Sequence, residues 1–396
     1  MIGVLADDYT GAAEIAGIGL RYGLRVAYQV ALEPVESVDL LIIATDLRTL
    51  PGDAAVAECE AFTGKLAGLG PEIIYKKTDS ALRGNVLVEL EAMLRTLNVS
   101  RALLLPANPG LGRTIRDGHY FLNGVRLDRT AFFKDPDYRH RNSEVLGMLG
   151  ESDGTATRYL RLEDADLAAG VNVGETLREE DLTRWVELLD EATLPAGGSE
   201  FFAHILRARG HREIHSRNRF EEEPGRTLYV CGSASQYSRA AIERAKAGGA
   251  TVCEIPDELF SGRGNRSLAL EKWAGQIFGR LKEENTVAVA INRPLKSEAT
   301  APGKLARDTA EVVEKVLQSS EGLAALRIEG GATFSAIAHR LGFKTFFPIR
   351  EYAPGVVGMR VGGLGGLSVT VKPGSYPWPE GSWFARFAEN AGVGRD

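Results

Sequence analysis

The chain has 396 residues, of which 44% are hydrophobic and 25% are charged, which is ordinary for a globular protein and enough for two domains. Its formal net charge of −6, with the acidic run at 221–223, argues against a nucleic-acid-binding protein, which usually presents a basic face. There is no secretory signal pattern, no apolar run of about 18 residues and no CxxC pair, so we expect a cytoplasmic protein with reduced thiols and no membrane span.

The first half of the chain alternates short β-like runs with helical stretches. The predicted strands are 2–5, 25–30, 40–44, 73–75 and 102–105, and the predicted helices include 54–69 and 86–97. Such alternation predicts an α/β fold with a mostly parallel sheet that helices cover on both faces. The stretch from about 145 to 222 is more polar, and its pattern predicts more helix than the preceding part of the chain.

A second α/β series follows the Pro-Gly pair at 224–225. Its predicted strands are 227–230, 251–255, 286–291 and 326–328, with β-hairpin material at 359–361 and 367–372. We therefore predict two domains, 1–224 and 225–396, each a mostly parallel sheet flanked by helices. The active site is expected in the cleft between them.

Polar clusters follow several predicted strands, where open parallel sheets bind ligands. The first is Asp7-Asp8, followed by Thr10 and Gly11. Helix capping explains one carboxylate but not two adjacent ones, which repel each other. A phosphatase with an Asp-x-Asp pair is disfavoured because its second carboxylate would fall at position 9, where Tyr9 stands.

The second cluster, 76–85, combines Lys77, Asp79, Ser80 and Arg83 within a few residues. A guanidinium can bind a carboxylate through two parallel hydrogen bonds, while the Asp and Ser side chains can hold substrate hydroxyls. The alternative is a surface loop with local salt bridges.

The third cluster, 106–124, is so rich in Gly, Pro and Asn that we expect no regular element there. It contains Arg113, Arg116 and His119. For His119, a structural role and a functional role are equally supported.

The second half contains glycine turns rather than charge clusters. Gly330 and Gly331 stand at a predicted strand-to-helix turn, where backbone N–H groups can approach a phosphate. The glycines from 355 to 366 and the stretch 372–374 can extend such a cradle or simply form hairpin turns. A P-loop, a GxGxxG fingerprint, the protein-kinase signatures and zinc-ligand spacing are all missing from the sequence, so no protein-held metal set is predicted.

With these motifs the chain resembles the four-carbon acid sugar kinase family, whose members phosphorylate threonate, erythronate and oxo-tetronates. The matching residues are Asp7-Asp8-Tyr9-Thr10-Gly11-Ala12, Lys77 to Gly84 with Ala81 in place of the usual Thr, Pro106 to Thr114, Gly118-His119 and Asn123-Gly124. Looser matches are Gly232-Ser233, Gly330 to Thr333, and Lys372 with Gly374. Asp46-Leu47-Arg48 is a variant of the family's polar-Ser-Arg.

The resemblance implies a domain that binds the sugar acid, followed by a domain that binds ATP. We expect phosphoryl transfer from ATP–Mg²⁺ to a hydroxyl, with the terminal one as the expected acceptor. In this scheme Arg83 clamps the substrate carboxylate, Asp79 and Ser80 orient its hydroxyls, and Thr10 and His119 add contacts. Asp7 or Asp8 accepts the proton or helps to place Mg²⁺, and both possibilities stay open.

Charge on the moving phosphoryl group is offset in this scheme by Arg113 and Lys77. The expected nucleotide contacts are Gly232, Ser233, Gly330, Gly331, Thr333, Gly355, Lys372 and Gly374. One alternative keeps the fold without the reaction: a catalytically weak sugar-acid binder or regulator, disfavoured by the acidic pair. A second alternative is an oxidoreductase with a dinucleotide in the C-terminal domain, disfavoured by the missing glycine fingerprint. A homodimer is the default expectation for such an enzyme.

Overall fold

The computed structural model describes residues 1–130, 142–152, 154–214, 217–293, 302–319, 322–374 and 376–389. The chain divides into two compact units, Met1–His215 and Ser216–Asp396. Each unit is α/β with a mostly parallel sheet and flanking helices, so the predicted fold class is confirmed.

The N-terminal unit is built on a sheet that, within the described residues, has eight strands. They are β1 (Ile2–Ala6), β2 (Val26–Gln29), β3 (Leu40–Ala44), β4 (Ile73–Lys77), β5 (Arg101–Leu105), β9 (Thr157–Leu160), β10 (Gly170–Gly174) and β11 (Thr193–Gly197). Their order is β2-β3-β1-β4-β11-β5-β10-β9, and every neighbouring pair is parallel. The carboxyl ends of β3, β1 and β4 are therefore adjacent at one edge of the sheet.

The helices of this unit are α1 (Tyr9–Arg21), α2 (Gly52–Gly68), α3 (Val86–Leu97), α4 (Val145–Leu149), α5 (Glu179–Val186) and α6 (Ser199–Ala208). Helix α3 has the predicted bounds because its leucines recur at helical spacing and its buried face packs into the core with α2. Helix α6 packs against α1 and α5.

Two predictions for this half were wrong. The glycine-rich stretch 106–124 contains β6 (Arg113–Arg116) and β7 (His119–Leu122), which with β8 (Val125–Arg126) form an antiparallel three-stranded sheet. Asp117 and Gly118 have φ of 48° and 75°, as a tight hairpin turn requires, so the turn residues that suggested a loop serve the hairpin. The polar stretch after 145 contains β9, β10 and β11, because pairing within the sheet outweighs weak local strand propensity.

The C-terminal unit contains β12 (Arg226–Cys231), β13 (Val252–Glu254), β14 (Thr286–Ala290), β15 (Leu323–Glu329), β16 (Thr345–Ala353), β17 (Val356–Val361) and β18 (Ser368–Lys372). Their order is β13-β14-β12-β15-β18-β17-β16. Strand β17 is antiparallel to both of its neighbours, and the other pairs are parallel. The predicted hairpin material is confirmed by β17 and β18.

Its helices are α7 (Gln236–Ala247), α8 (Asp257–Ser261), α9 (Arg266–Glu283), α10 (Pro302–Ser319), α11 (Gly331–Arg340) and α12 (Ala385–Glu389). Successive residues of β15 point to opposite faces of the sheet. Leu326 and Ile328 pack with residues of α11, whereas Arg327 lies over the ring of Phe220. No helix in the described ranges is long and apolar enough to span a bilayer.

Candidate active site

One guanidinium joins the polar side chains that follow three adjacent strands. Arg48, in the turn after β3, has its Nη2 atom 3.1 Å from Asp7 Oδ2 and 3.1 Å from Asp8 Oδ1, and its Nη1 atom 3.5 Å from Asp79 Oδ1. The Asp7 side chain is 1% exposed and that of Arg48 is 17% exposed. The structure therefore brings Asp7, Asp8 and Asp79 together, as predicted, around an arginine to which the sequence analysis gave no role.

Asp79 is fixed by a second arginine from its own loop. Arg83 Nε donates to Asp79 Oδ2 at 2.8 Å and its Nη2 to Asp79 Oδ1 at 2.9 Å, while the backbone N–H groups of Ala81 and Arg83 donate to Oδ2. Burial raises the pKa of Asp79, but the charges of Arg83 and Arg48 outweigh it and hold this pKa well below its usual value. Asp79 is thus an ionised anchor for two guanidinium groups.

Asp8 caps helix α1. Its Oδ1 accepts the N–H of Gly11 at 2.8 Å and its Oδ2 accepts the hydroxyl of Thr10 at 2.6 Å, which explains why the helix begins there. Burial raises the pKa of Asp8, but Arg48, Lys77 and these hydrogen bonds together lower it. Thr10 therefore serves Asp8 in this structure.

Lys77 reaches the same helix start. Its Nζ donates to the carbonyl of Thr78 at 2.8 Å and lies 3.9 Å from Glu14 Oε2. A Cβ at Gly11 would come within 3.0 Å of this ammonium and 2.5 Å of Asp8 Oδ1, so a glycine is required for the close approach.

The hairpin places Arg113 and His119 differently. Arg113 Nη1 donates to Ser80 Oγ, which ties β6 to the loop of Asp79. His119 pairs with Arg116 across the hairpin, and strand alternation puts it on the face opposite to Arg113. Its Nδ1 lies 3.2 Å from Ser143 Oγ. The structure thus brings Ser80 and Arg113 together and separates His119 from them.

A buried ion pair supports this edge of the sheet. Lys76 points to the face of β4 opposite to Lys77, and its Nζ lies 2.5 Å from Glu89 Oε2 of α3. Both side chains are at most 1% exposed. The pair fixes α3 against the strand from which the loop of Asp79 and Arg83 leaves.

In the C-terminal unit the predicted glycine turns meet at the carboxyl edge of β12, β15 and β18. A Cβ at Gly232 would overlap Thr333 Oγ1, and one at Gly374 would lie 2.7 Å from Ser233 Oγ. These close approaches explain why glycine occupies both positions.

Gly330 begins the turn into α11, with a φ of 96° that favours glycine, and its N–H donates to Lys372 O at 2.8 Å. The first turn of α11, which includes Gly331 and Thr333, has no side-chain cap. Its N–H groups are therefore suited to an anion. Gly355, with a φ of 70°, forms the β16–β17 turn, and the pairing of Val357 with Val371 puts this turn at the same edge.

Lys372 is fully buried and engaged by protein atoms. Its Nζ lies 3.0 Å from Glu329 Oε2 and donates to the carbonyls of Pro373 at 2.7 Å and Tyr376 at 2.5 Å. An ammonium has three N–H donors, so these contacts account for all of them. Lys372 therefore shapes the 373–376 turn.

The described residues contain no group of three or more His, Cys, Asp or Glu side chains arranged to hold a metal ion. The carboxylates of Asp7, Asp8 and Asp79 already contact the guanidinium groups of Arg48 and Arg83. These residues therefore do not fit a magnesium ion held by the protein alone.

Comparison with known proteins agrees with the placement of the charged clusters in the N-terminal unit and of the glycine turns in the C-terminal unit. A sugar-binding N-terminal domain family matches residues 2–198, and a nucleotide-binding C-terminal domain family matches residues 228–376. The 3-oxo-tetronate kinase of Brucella melitensis biotype 1 is 25% identical over 415 residues, covering 95% of this chain and 92% of that protein. The chain belongs to the four-carbon acid sugar kinase family. The resemblance found in its motifs is confirmed.

A second sequence relative and a solved structure also match this member of the four-carbon acid sugar kinase family. The D-threonate kinase of Salmonella typhimurium is 27% identical over 260 residues, covering 61% of this chain and 60% of that protein. The crystal structure of Haemophilus influenzae protein HI1011 superposes with a TM-score of 0.70 at 20% identity, covering 99% of this chain and all of that one. This structural likeness concerns the fold alone.

Proposed function

We propose that this family member transfers the γ-phosphoryl group of ATP to a hydroxyl of a four-carbon sugar acid, with the terminal hydroxyl as acceptor. The observation that carries the proposal is the Arg48–Arg83 cluster with its three carboxylates, which lies in the unit matched by a sugar-binding family. The names of the relatives support threonate or 3-oxo-tetronate as the acid, and the family resemblance adds erythronate.

Arg83 is the proposed donor to the substrate carboxylate. Two parallel hydrogen bonds to Asp79 hold its guanidinium in one orientation, so little side-chain entropy is lost when an anion binds. Asp79 then acts by orienting Arg83 and Arg48. Ser80 orients Arg113 in the same way and lies where a sugar hydroxyl can replace one of its contacts.

Lys77 and Arg113 are the proposed cations that offset the charge of the transferring phosphoryl group. Phosphoryl transfer depends mainly on alignment and on electrostatic stabilisation, with little covalent chemistry for the protein to perform. Mg²⁺ enters as part of the MgATP substrate, because this ion prefers phosphate oxygens and water to an all-protein cage.

The nucleotide phosphates are proposed to bind at the first turn of α11. Gly331 and Thr333 supply backbone N–H groups at a helix N-terminus, which suits an anionic phosphate chain, and Gly330 forms the turn that leads into this helix end. Further proposed contributions at the same edge of the sheet come from Gly232, Ser233, Gly355 and Gly374. Lys372 contributes by positioning the turn that contains Gly374.

The proposal is tested by coupled ADP release with MgATP and a panel of threonate, erythronate and 3-oxo-tetronate isomers. We expect release that depends on one acid. Arg83→Ala should raise the Kd of that acid about 10- to 100-fold, since a hydrogen bond to a charged group is worth about 1.5–3 kcal/mol. The matched control Arg95→Ala, which removes an exposed pair with Glu60, should leave it unchanged.

Each negative outcome has a distinct meaning. Unchanged affinity in Arg83→Ala would remove the clamp assignment. Acid-dependent thermal stabilisation without ADP release would favour a binding protein of the same fold. If no acid produces either ADP release or thermal stabilisation, the proposed substrate class is refuted.

A further inference from the structure

The proposed function requires a group that accepts the proton of the attacking hydroxyl. The three carboxylates around Arg48 are poorly suited to this, because each already accepts hydrogen bonds. Asp7 accepts from the Arg48 guanidinium and from the N–H of Asp79, while Asp8 caps α1 and Asp79 anchors Arg83. The lowered pKa values of Asp8 and Asp79 make both of them weak bases.

A fourth carboxylate, Asp46, is held at the same edge of the sheet. Thr45, directly after β3, donates through its N–H and its hydroxyl to the carbonyl of Ala6 at 3.1 and 2.7 Å. The N–H of Arg48 donates to the carbonyl of Asp7 at 3.2 Å. These bonds fix the Asp46 backbone beside the end of β1.

The same turn is also fixed from the other side. Asn85 Nδ2 donates to the carbonyls of Leu47 and Leu50 at 2.8 and 2.9 Å. The segment that carries Asp46 is therefore joined both to the acidic pair after β1 and to the loop of Asp79 and Arg83. A side chain on such a turn is rigidly positioned relative to the cluster.

The Asp46 carboxylate has the Thr49 hydroxyl as a local hydrogen-bonding neighbour but does not cap the turn that follows it. It precedes the short 3₁₀ turn Leu47–Thr49 but makes no capping hydrogen bond to it. Among the described residues it has no salt bridge, whereas each of its three acidic neighbours contacts a guanidinium. It is also partly exposed, unlike Asp7.

The charges that face Asp46 favour a proton on it. Burial raises its pKa most, and the carboxylates of Asp8 and Asp7 raise it further, while the Thr49 hydroxyl and Arg48 act in the opposite direction. The net result is a pKa above the usual 3.8. Asp46 is thus a stronger base than Asp8 or Asp79.

We propose that Asp46 is the general base that removes the proton of the substrate hydroxyl. As the hydroxyl oxygen forms its bond to the γ-phosphorus, the bond from that phosphorus to the β,γ-bridging oxygen breaks and ADP leaves with the electron pair. The hydroxyl proton moves to an Asp46 oxygen and then to solvent. Arg48 is a positioning residue here, because it holds Asp7 and Asp8 beside the base.

The test is the pH dependence of kcat for Asp46→Asn, measured with the acid that the ADP-release panel identifies. We expect kcat to fall about 10²- to 10⁴-fold, the usual contribution of general base catalysis. The rise of kcat with pH on the acid side of the profile should disappear, while the Kd of the acid stays within about twofold of wild type. Asp46→Glu should restore part of kcat together with that rise.

The matched control is Asp53→Asn, which alters an exposed acid in the first turn of α2 and should leave kcat and its pH profile unchanged. An Asp46→Asn protein that binds the acid normally and keeps the wild-type kcat and profile overturns the inference. Loss of acid binding together with kcat also overturns it and makes Asp46 a binding residue. Failure of the proposed function is separate, because the wild-type protein itself would then release no ADP.

Discussion

Replacing Arg48 by Gln should destabilise the N-terminal unit strongly, because three carboxylates would lose their shared counter-charge. At an effective dielectric constant of about 20, unit charges about 4 Å apart interact by about 4 kcal/mol. Arg48 has Asp7 and Asp8 at 3.1 Å, while burial of its own charge offsets part of the gain. We therefore expect a loss of about 3–5 kcal/mol in the free energy of unfolding, as for other broken buried pairs.

The loss should depend on pH with a definite sign. Asp8 and Asp79 have folded-state pKa values below their unfolded values, so their stabilisation is present above about pH 4 and is lost as pH falls through the folded pKa. Removing Arg48 raises both folded pKa values. The difference between variant and wild type should therefore be largest near neutral pH and smaller near pH 4.5, where the crowded carboxylates of the variant can take up protons.

Urea unfolding at both pH values measures this difference, and hydrogen–deuterium exchange of the peptides that contain β1 and β4 assigns it to the N-terminal unit. Arg48→Lys keeps the charge but loses the planar geometry, so its loss should be about 1–2 kcal/mol. The control Arg95→Gln should lose less than about 1 kcal/mol. Equal losses in the Lys and Gln variants, or a loss independent of pH, would refute the counter-charge argument.

Two further perturbations test the described contacts. Lys372→Met should cost about 3–5 kcal/mol, because it leaves the Glu329 carboxylate buried without its partner, and should weaken MgATP binding about tenfold. Calorimetry of Lys372→Met/Glu329→Leu should show part of that stability regained, and a double variant less stable than the single one would contradict this reason. Burial and the neighbouring Arg207 lower the pKa of His204 to about 4, so stability from the neutral imidazole is complete above about pH 6.5 and is lost as pH falls toward 4. A His204→Asn protein should therefore show a smaller fall in Tm than the wild type over that range. The difference should correspond to about 1–2 kcal/mol in the free energy of unfolding, after allowance for solvent screening.

The polar clusters at the strand ends were predictable because each is indicated by a short, local sequence pattern. A short apolar run followed by Asp7-Asp8, or by Lys77 and Asp79, indicates a parallel strand and its polar carboxyl end. The meeting of Arg48 with Asp79 depends instead on the strand order β3-β1-β4, which a periodic pattern does not specify. The signal for Arg48 was present in its motif, where it matches the arginine of the family's polar-Ser-Arg while Leu47 replaces the serine.

The role of His119 could not be predicted from the sequence, because it depends on the direction of the side chain. Its motif places it between Gly118 and Tyr120, but its role depends on which face of a hairpin it occupies, and no hairpin was predicted there. Once β6 and β7 pair, Arg113 and His119 point to opposite faces. A motif can therefore be correct as a family marker while two of its residues lie on opposite faces of the hairpin.

The two units solve different electrostatic problems with different groups. A sugar acid presents one carboxylate, which is best recognised by an oriented guanidinium, and Asp79 orients Arg83 at the cost of lowering its own pKa. A nucleotide phosphate chain can instead be held by backbone N–H groups at α11, so the cation of that edge, Lys372, is free to build the turn. Because their cationic neighbours lower the pKa values of Asp8 and Asp79, these two are weak bases, and the proposed proton acceptor is Asp46, which forms no salt bridge among the described residues and has a raised pKa.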